Sequence, residues 1–289
     1  MAAIVAAIAL FTSASHVGIC VGPAVGAGFI RRRASLAVYV AGVLLGAYTQ
    51  GALMSRAVFN PSICTLATTT AIAVVPSLAG IPLSLNFALY TSQIGCSLLR
   101  GLGKLATASI YWVTLLTLTA LLSLAITQAL RARLSSCRKP AVALRASRLT
   151  VYALSALMSY VVGANTFGFL IHFTSNSVAT QALLILAIAI GALAMHAKSL
   201  ERVAYRFFRI GPIHAITCYS VSISLLEIAT LLSIPLPASL TITTALYFSG
   251  RAAPFKLMRT RSYLTYLLVQ SISIPAALGT GVLIALLLP

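Results

Sequence analysis

Two carboxylates in 289 residues leave little chemistry to acids. Glu201 sits among Lys198, Arg202 and Arg206 and reads as part of a surface ion pair. Glu227, in "SISLLEIATLL", lies inside an apolar run. A charge there is costly unless paired, and an ionisable group at membrane depth is a functional candidate by default; the alternative is a structural partner to an Arg or a backbone group. His16 is a second such group: imidazole exchanges a proton near physiological pH, and the alternative is a neutral ring hydrogen-bonded to a helix backbone. The other polar side chains that interrupt apolar sequence are neutral. They are Ser15, Ser84, Asn86, Asn165, Thr166, Ser239 and Thr241. They fall in four patches: "SASHVGICVGPAVGAG" at 13–28, "GIPLSLNFALY" at 80–90, "GANTFGFLIHFTSN" at 163–176 and "SIPLPASLTITTALY" at 233–247. Hydroxyls and amides can donate hydrogen bonds to an anion. A helix that starts at such a patch adds free N–H groups and partial positive charge. The glycines would let the helices break there. The alternative is that Gly and Ser serve close helix packing. No enzyme constellation accompanies these patches: two acids cannot build a carboxylate metal cluster, and the single G-x-G-K at 101–104 lacks the spacing of a nucleotide loop. The reading is of a non-enzyme without metal or cofactor.

The elements that hold these patches are membrane helices. Hydrophobic residues make up 60% of the chain and charged ones 8%, where a soluble domain carries about a quarter. The segments 34–55, 107–130, 149–173, 178–197, 213–234 and 263–288 each approach the roughly 20 apolar residues that cross a bilayer. They are too long and continuous for barrel strands. The net charge of +18 comes from 20 Lys and Arg against the two acids. The basic residues fall in gaps between apolar runs, as in loops that anchor spans and touch anionic headgroups. That placement argues against nucleic acid as a partner. The five cysteines show no C-x-x-C spacing and read as small buried hydrophobes. Trp112 and Tyr111 read as an interface anchor, His196 and His214 as interfacial, and His172 as a packing residue near the second half's first patch. The apolar start, residues 1–15, reads as part of the mature protein because apolar sequence resumes at once.

The chain looks doubled. The gap "RARLSSCRKPAVALRASR" at 131–148 carries six basic residues and no acid. It separates a first repeat, 1–130, from a second, 149–289. Each half runs through a Gly/Ser/Asn patch, a basic loop, a long span, an isoleucine–proline break and a final long helix. The first patches are offset by 150 residues (Ser13 to Gly163) and the prolines by 155 (Pro82 to Pro237). Paired Gly/Pro interruptions at corresponding places point to a transporter's binding site, since a broken helix in lipid is tolerated only where it lines a buried or watered cavity. In inverted repeats the basic loops at Arg31–Arg33 and Lys198–Arg209 are expected on opposite faces, with the 131–148 cluster in the cytoplasm.

At these four patches the chain resembles the inorganic phosphate transporter family. That family carries G-A-N-D-V-A-N-A-x-G in both halves, often continuing as P-x-V-G-S-G, and P-V-S-T-T-H at a later break. Here Ser13-Ala14-Ser15-His16-Val17 runs into Gly22-Pro23-Ala24-Val25-Gly26-Ala27-Gly28, and Gly163-Ala164-Asn165-Thr166 matches the start of the second copy. Pro82-Leu83-Ser84-Leu85-Asn86-Phe87-Ala88 and Pro237-Ala238-Ser239-Leu240-Thr241-Ile242 are worn copies of the later motif. The family's aspartates fall at His16 and Thr166, and its histidines at Phe87 and Ile242. In the family those aspartates and asparagines are associated with sodium.

The resemblance implies an all-α polytopic protein of two inverted-topology repeats, with broken or re-entrant helices and roughly ten helical membrane elements. It implies a multi-pass permease of the cell membrane that moves inorganic phosphate by alternating access. A homodimer is compatible with it. Ser15, Ser84, Asn86, Asn165, Thr166, Ser239 and Thr241 would bind substrate. With both carboxylates lost, a hard-cation site loses its charge, and a proton carried by His16 or Glu227 replaces sodium in the expectation. The rival readings are a permease for another oxyanion such as sulfate, a passive channel, and a non-transporting membrane subunit.

Overall fold

The structure, a computed structural model, describes residues 1–56, 62–98, 102–135, 140–172, 177–207, 210–234, 236–252 and 260–287. They form eleven α-helices: α1 (Ala2–Gly26), α2 (Arg32–Thr49), α3 (Ile63–Ala79), α4 (Leu85–Cys96), α5 (Leu102–Ser135), α6 (Pro140–Val162), α7 (Gly168–His172), α8 (Val178–Leu200), α9 (Pro212–Leu231), α10 (Ala238–Arg251) and α11 (Thr260–Leu287). A 3-10 turn follows α2 at Gly51–Arg56, and π turns occupy Gly163–Phe167 and Glu201–Phe207. Six helical segments are long and apolar enough to span a membrane: Ala2–Gly26, Ser109–Arg133, Ala141–Ile171, Val178–Tyr205, Pro212–Leu231 and Thr260–Leu287. The first-half segment 34–55, expected as a span, is not among them.

Lipid gives helices no hydrophobic reason to associate, so packing rests on small residues that let backbones approach. Gly18, Gly22 and Gly26 line one face of α1. A Cβ at Gly18 would come within 2.6 Å of the Ser199 carbonyl oxygen, one at Gly22 within 3.0 Å of Val203, and one at Gly26 within 3.0 Å of the Ala204 carbonyl oxygen. These contacts run in step, so α1 and the α8 region are parallel. On α2, Gly42 faces Ala156 and Ser159, and Gly46 faces Tyr160 and Ala164, so α2 and α6 are parallel too. The five-residue turn between α1 and α2 makes that pair antiparallel, which leaves α6 running against α1.

The packing partners repeat across this inversion. α1 packs on α8 and α3, as α6 packs on α2 and α9. α4 packs on α3 and α11, as α10 packs on α9 and α5. The last helix of each half therefore lies against the other half. Burial follows the same pairing. The span windows within Ala2–Gly26 and Ala141–Ile171 are both 78% buried, whereas those within Ser109–Arg133 and Thr260–Leu287 are both 22% buried. The first two are central and the last two face lipid.

Four expectations are corrected here. The glycine-rich patch at 13–28 does not break its helix: α1 continues to Gly26, with Pro23 inside it, and its glycines are packing glycines. Arg31–Arg33 and the start of the 198–209 loop share one end of the molecule, because Arg32 Nη2 donates to Ala197 O at 3.5 Å and Ser35 Oγ meets His196 Nε2 at 3.0 Å. The equivalent of the α1–α2 turn is the connection into α8, not the one out of it. Finally, Cys64 and Cys96 form a disulfide, with Cα atoms 6.0 Å apart. It ties the start of α3 to the end of α4, while Cys20 and Cys218 are free and buried. Trp112 is also buried, against Phe87 and Tyr90 of α4 at ring distances of 4.6 and 5.7 Å; Tyr111 is exposed.

Candidate functional site

Two matched turns organise the interior. α3 ends with Gly80 in the left-handed region (φ 69°), and α9 ends with Ser233 likewise (φ 57°). Both are Schellman caps. Gly80 N donates to Ser77 O and Ile81 N to Pro76 O; Ser233 N donates to Thr230 O and Ile234 N to Ala229 O. A left-handed non-glycine residue is strained, and the Ser233 hydroxyl is held by donating to Leu53 O at 2.8 Å. A short helix follows each cap, starting at Leu85 or Ala238. Gly80 to Ser233 and Leu85 to Ala238 are both 153 residues apart, so the backbone register is two residues shorter than the proline offset suggests. Asn86 is thus the structural equivalent of Ser239.

The two short helices meet at their starts. Asn86 Nδ2 donates to Leu236 O at 2.7 Å, just before α10, and to Asn165 Oδ1 at 3.0 Å. Asn165 belongs to the π turn at Gly163–Phe167, and its own amide donates to Thr230 Oγ1 at 3.2 Å and Ile234 O at 3.5 Å. Three of the four patches are thereby joined through two asparagines. Pi turns inside α-helices are frequent at functional sites. This one fits because Gly163 lies against the Val43 backbone and Gly168 against Gly51, where no Cβ has room. The fourth patch enters through His16, whose ring meets Phe167 edge-on at 6.4 Å.

The last helix closes the cluster from below. Gln270 Oε1 accepts from Ser84 N at 3.3 Å, and its Nε2 donates to Pro82 O at 2.7 Å. One turn earlier, the Tyr266 hydroxyl lies beside Ser239 and Thr243. Sequence reasoning missed Gln270, Tyr266 and Thr230. The available signal was a lone Gln in the apolar run "LLVQSISIP".

Buried polar atoms in folded proteins nearly always have partners. Here Ser84 Oγ, Asn86 Oδ1, Thr166 Oγ1, Ser239 Oγ, Tyr266 Oη and His16 Nε2 have none. The side chains of Ser15, Asn165 and Thr241 are bonded within the protein: Ser15 Oγ to Thr12 O at 3.0 Å, Thr241 Oγ1 to Pro237 O at 3.2 Å, and Asn165 as described. His16 Nδ1 donates to Thr12 O at 2.9 Å, so in the neutral ring the unpartnered Nε2 is an acceptor. Glu227 stands apart from the cluster, with Oε1 accepting from Gln50 Nε2. The His172 side chain lies outside the described residues. An open recess of about 480 Å³, lined by Gln128, Arg131, Ala132, Ser135 and Ile213, lies at the basic end and contains none of these residues.

The cluster therefore offers four unpartnered hydroxyls, two unpartnered acceptors and two helix starts whose first N–H groups lack intrahelical partners. Such a set can surround an anion without a counter-charge. No family model and no curated protein matches the sequence. One solved structure, described as "The sodium-dependent phosphate transporter", matches over 99% of this chain and 97% of its own, with a TM-score of 0.81 and 12% sequence identity. The likeness is one of fold: this chain is an all-helical, multi-pass membrane protein with the fold of that transporter.

Proposed function

We propose that the protein is a secondary permease that moves inorganic phosphate across the cell membrane by alternating access. The observation that carries this is the group of unpartnered hydroxyls on Ser84, Thr166, Ser239 and Tyr266, gathered where two short helices start. Helix starts and hydroxyls together suit a tetrahedral oxyanion. Asn86 Oδ1 and His16 Nε2 favour phosphate over sulfate. Phosphate keeps a proton at neutral pH and can donate to an acceptor; sulfate has none to give. The fold of the matched transporter supports the same reading.

The coupling ion is a proton in this proposal. His16 and Thr166 stand at the motif positions where the resembled family has aspartates, which leaves a sodium site with neutral oxygens only. His16 Nε2 and Glu227 are the groups able to take up a proton. The described ends of the loops support an orientation. Arg31–Arg33, Arg131, Arg133, Lys198, Arg202, Arg251 and Arg261 lie at one end, and the Cys64–Cys96 bond lies at the other. Positive residues favour the cytoplasm, and disulfides persist on the oxidising side; the two signals agree.

Titration calorimetry of the purified protein with phosphate and with sulfate tests the substrate. The expected result is phosphate binding at least tenfold tighter, with the gap closing in Asn86→Leu. Equal affinities for the two anions would remove the case for phosphate.

A further inference from the structure

Away from the polar cluster, one pair of side chains holds two buried acceptors with nothing to accept. Gln50 Nε2 donates to Glu227 Oε1, yet Gln50 Oε1 and Glu227 Oε2 are both buried and unpartnered. An ionised carboxylate beside a buried amide oxygen leaves both atoms unsatisfied, and each such atom is costly. One proton on Glu227 Oε2 changes this. That oxygen becomes a donor, Gln50 Oε1 is the acceptor of the same pair, and acid and amide can close a two-bond ring. We propose that Glu227 binds a proton taken from water and shares it with Gln50, and that this proton latches α2 to α9. The proposal deepens the proton-coupled reading above and rests on it for its transport role.

The position gives the latch its meaning. Gln50 caps the end of α2, and its backbone N–H bonds Gly46 O at 3.0 Å. Glu227 lies under two turns before the left-handed turn at Ser233, which is itself tied to Leu53. The latch therefore grips the second half's broken helix at the end of the molecule away from the basic loops. The inverted counterpart is a different contact: from the end of α8, Lys198 Nζ donates to Leu78 O of α3 at 2.6 Å. One broken helix is held by a cation on a carbonyl, and the other by a proton.

Among the described side chains none brings a competing charge to Glu227. Among the described residues no Lys, Arg or His pairs with Glu227. From α6, the Tyr160 hydroxyl meets Thr49 Oγ1 at 3.0 Å, next to Gln50; Arg145 and Arg148 are on its first turns. His16 of α1 lies behind Phe167. α5 and α10 bring their arginines together at the basic end, where Arg131 donates to Ala252 O. His214 and Cys218 occupy the opposite end of α9. The 3-10 turn contributes Arg56, whose side chain lies outside the described residues.

Infrared spectroscopy can read this directly, because the chain has only two side-chain carboxyls. The full-length protein in lipid nanodiscs is titrated from alkaline to acidic pH in water and in D2O. The expected result is a protonated-acid C=O band already present at neutral pH, above the range of about 3.5–4.5 where exposed carboxyls protonate, that grows as pH falls, shifts in D2O, is absent at neutral pH in Glu227→Gln, survives Glu201→Gln and changes frequency in Gln50→Ala. A wild-type spectrum with no such band, or a band lost in Glu201→Gln and kept in Glu227→Gln, overturns the proposal. An unchanged frequency in Gln50→Ala overturns the sharing of the proton. If the Glu227 and Gln50 variants do not fold, the wild-type D2O shift and the Glu201→Gln spectrum decide. Phosphate uptake is measured separately. A band without uptake sinks the permease reading alone, and pH-driven uptake without a band sinks the latch alone.

Discussion

α1 and the run α6–π turn–α7 occupy equivalent places in the two halves, yet they use their glycines differently. In α1 the small residues are drawn into packing: Gly18, Gly22 and Gly26 let α8 and its π extension lie close, and the helix stays whole. In the second half Gly163 and Gly168 also admit close neighbours, but the helix widens between them and turns Asn165 and Thr166 into the interior. The same composition can thus close a helix face or open a helix. What separates them is the partner. α1 meets Ser199, whose hydroxyl accepts from Gly18 N at 3.1 Å and donates to Ser15 O at 3.3 Å, so its hydroxyls are satisfied where they lie and His16 Nε2 alone on this helix is buried without a partner. The π turn has Asn86 and Thr230 to satisfy Asn165, and leaves Thr166 Oγ1 without a partner.

The largest predicted effect sharpens the contrast between packing and binding. Ser84→Ala combined with Ser239→Ala removes one hydroxyl without a partner in the protein and one whose neighbour is the Tyr266 hydroxyl. Each hydrogen bond to a charged ligand is worth roughly 1.5–3 kcal/mol, so phosphate affinity should fall by roughly 3–6 kcal/mol with the melting temperature unchanged. Calorimetry with thermal unfolding on the same sample checks both. A second prediction acts on α1. Gly18→Val places a branched Cβ against the Ser199 backbone; overpacking of this kind costs about 1–3 kcal/mol, occasionally more, and should lower thermal stability. Gly28→Val, at a position with nothing nearby but a φ of 77°, separates backbone strain from packing: it too should destabilise, without disturbing the α1–α8 contact. The third compares equivalent polar residues. Thr166→Val should weaken phosphate binding by roughly 1.5–3 kcal/mol. Ser15→Ala, whose hydroxyl is already bonded to Thr12 O, should change it by less than about 1 kcal/mol. Equal losses in the two variants would erase the distinction between the halves.

The turns at 80–84 and 233–237 were legible because each half carries an Ile-Pro pair inside apolar sequence, and a proline there removes a helix donor and crowds the preceding turn. Their register was legible too: Ile81-Pro82 and Ile234-Pro235 are 153 residues apart, as are the left-handed residues Gly80 and Ser233. Pairing Pro82 with Pro237 instead puts the halves two residues out. The fate of 13–28 was hidden for a physical reason. Glycines that break a helix and glycines that pack one look alike until the neighbouring helix is in place. Cys64 and Cys96 show no spacing that announces a bond; it is the hairpin fold of α3 and α4 that brings them together. Tyr266 gave no signal and Gln270 only that of a lone polar residue in an apolar run, because only the crossed packing of the final helix carries them under Ser84 and Ser239. The span composition, the two-half design and the grouping of Asn86 with Asn165 needed less, since motif order alone pointed to them.

The central claim is that the meeting point of the broken helices carries phosphate across a membrane without sodium. Reconstitution of the full chain in sealed proteoliposomes tests it most directly, with labelled phosphate outside and sodium, potassium, choline or a pH gradient imposed in turn. The account predicts uptake that persists when sodium is replaced, rises with an inward proton gradient, loses that rise in His16→Ala or Glu227→Gln while phosphate–phosphate exchange continues, and disappears in the Ser84→Ala, Ser239→Ala variant. Uptake that strictly requires sodium and ignores the pH gradient, or that is unaffected by the double substitution, would contradict it.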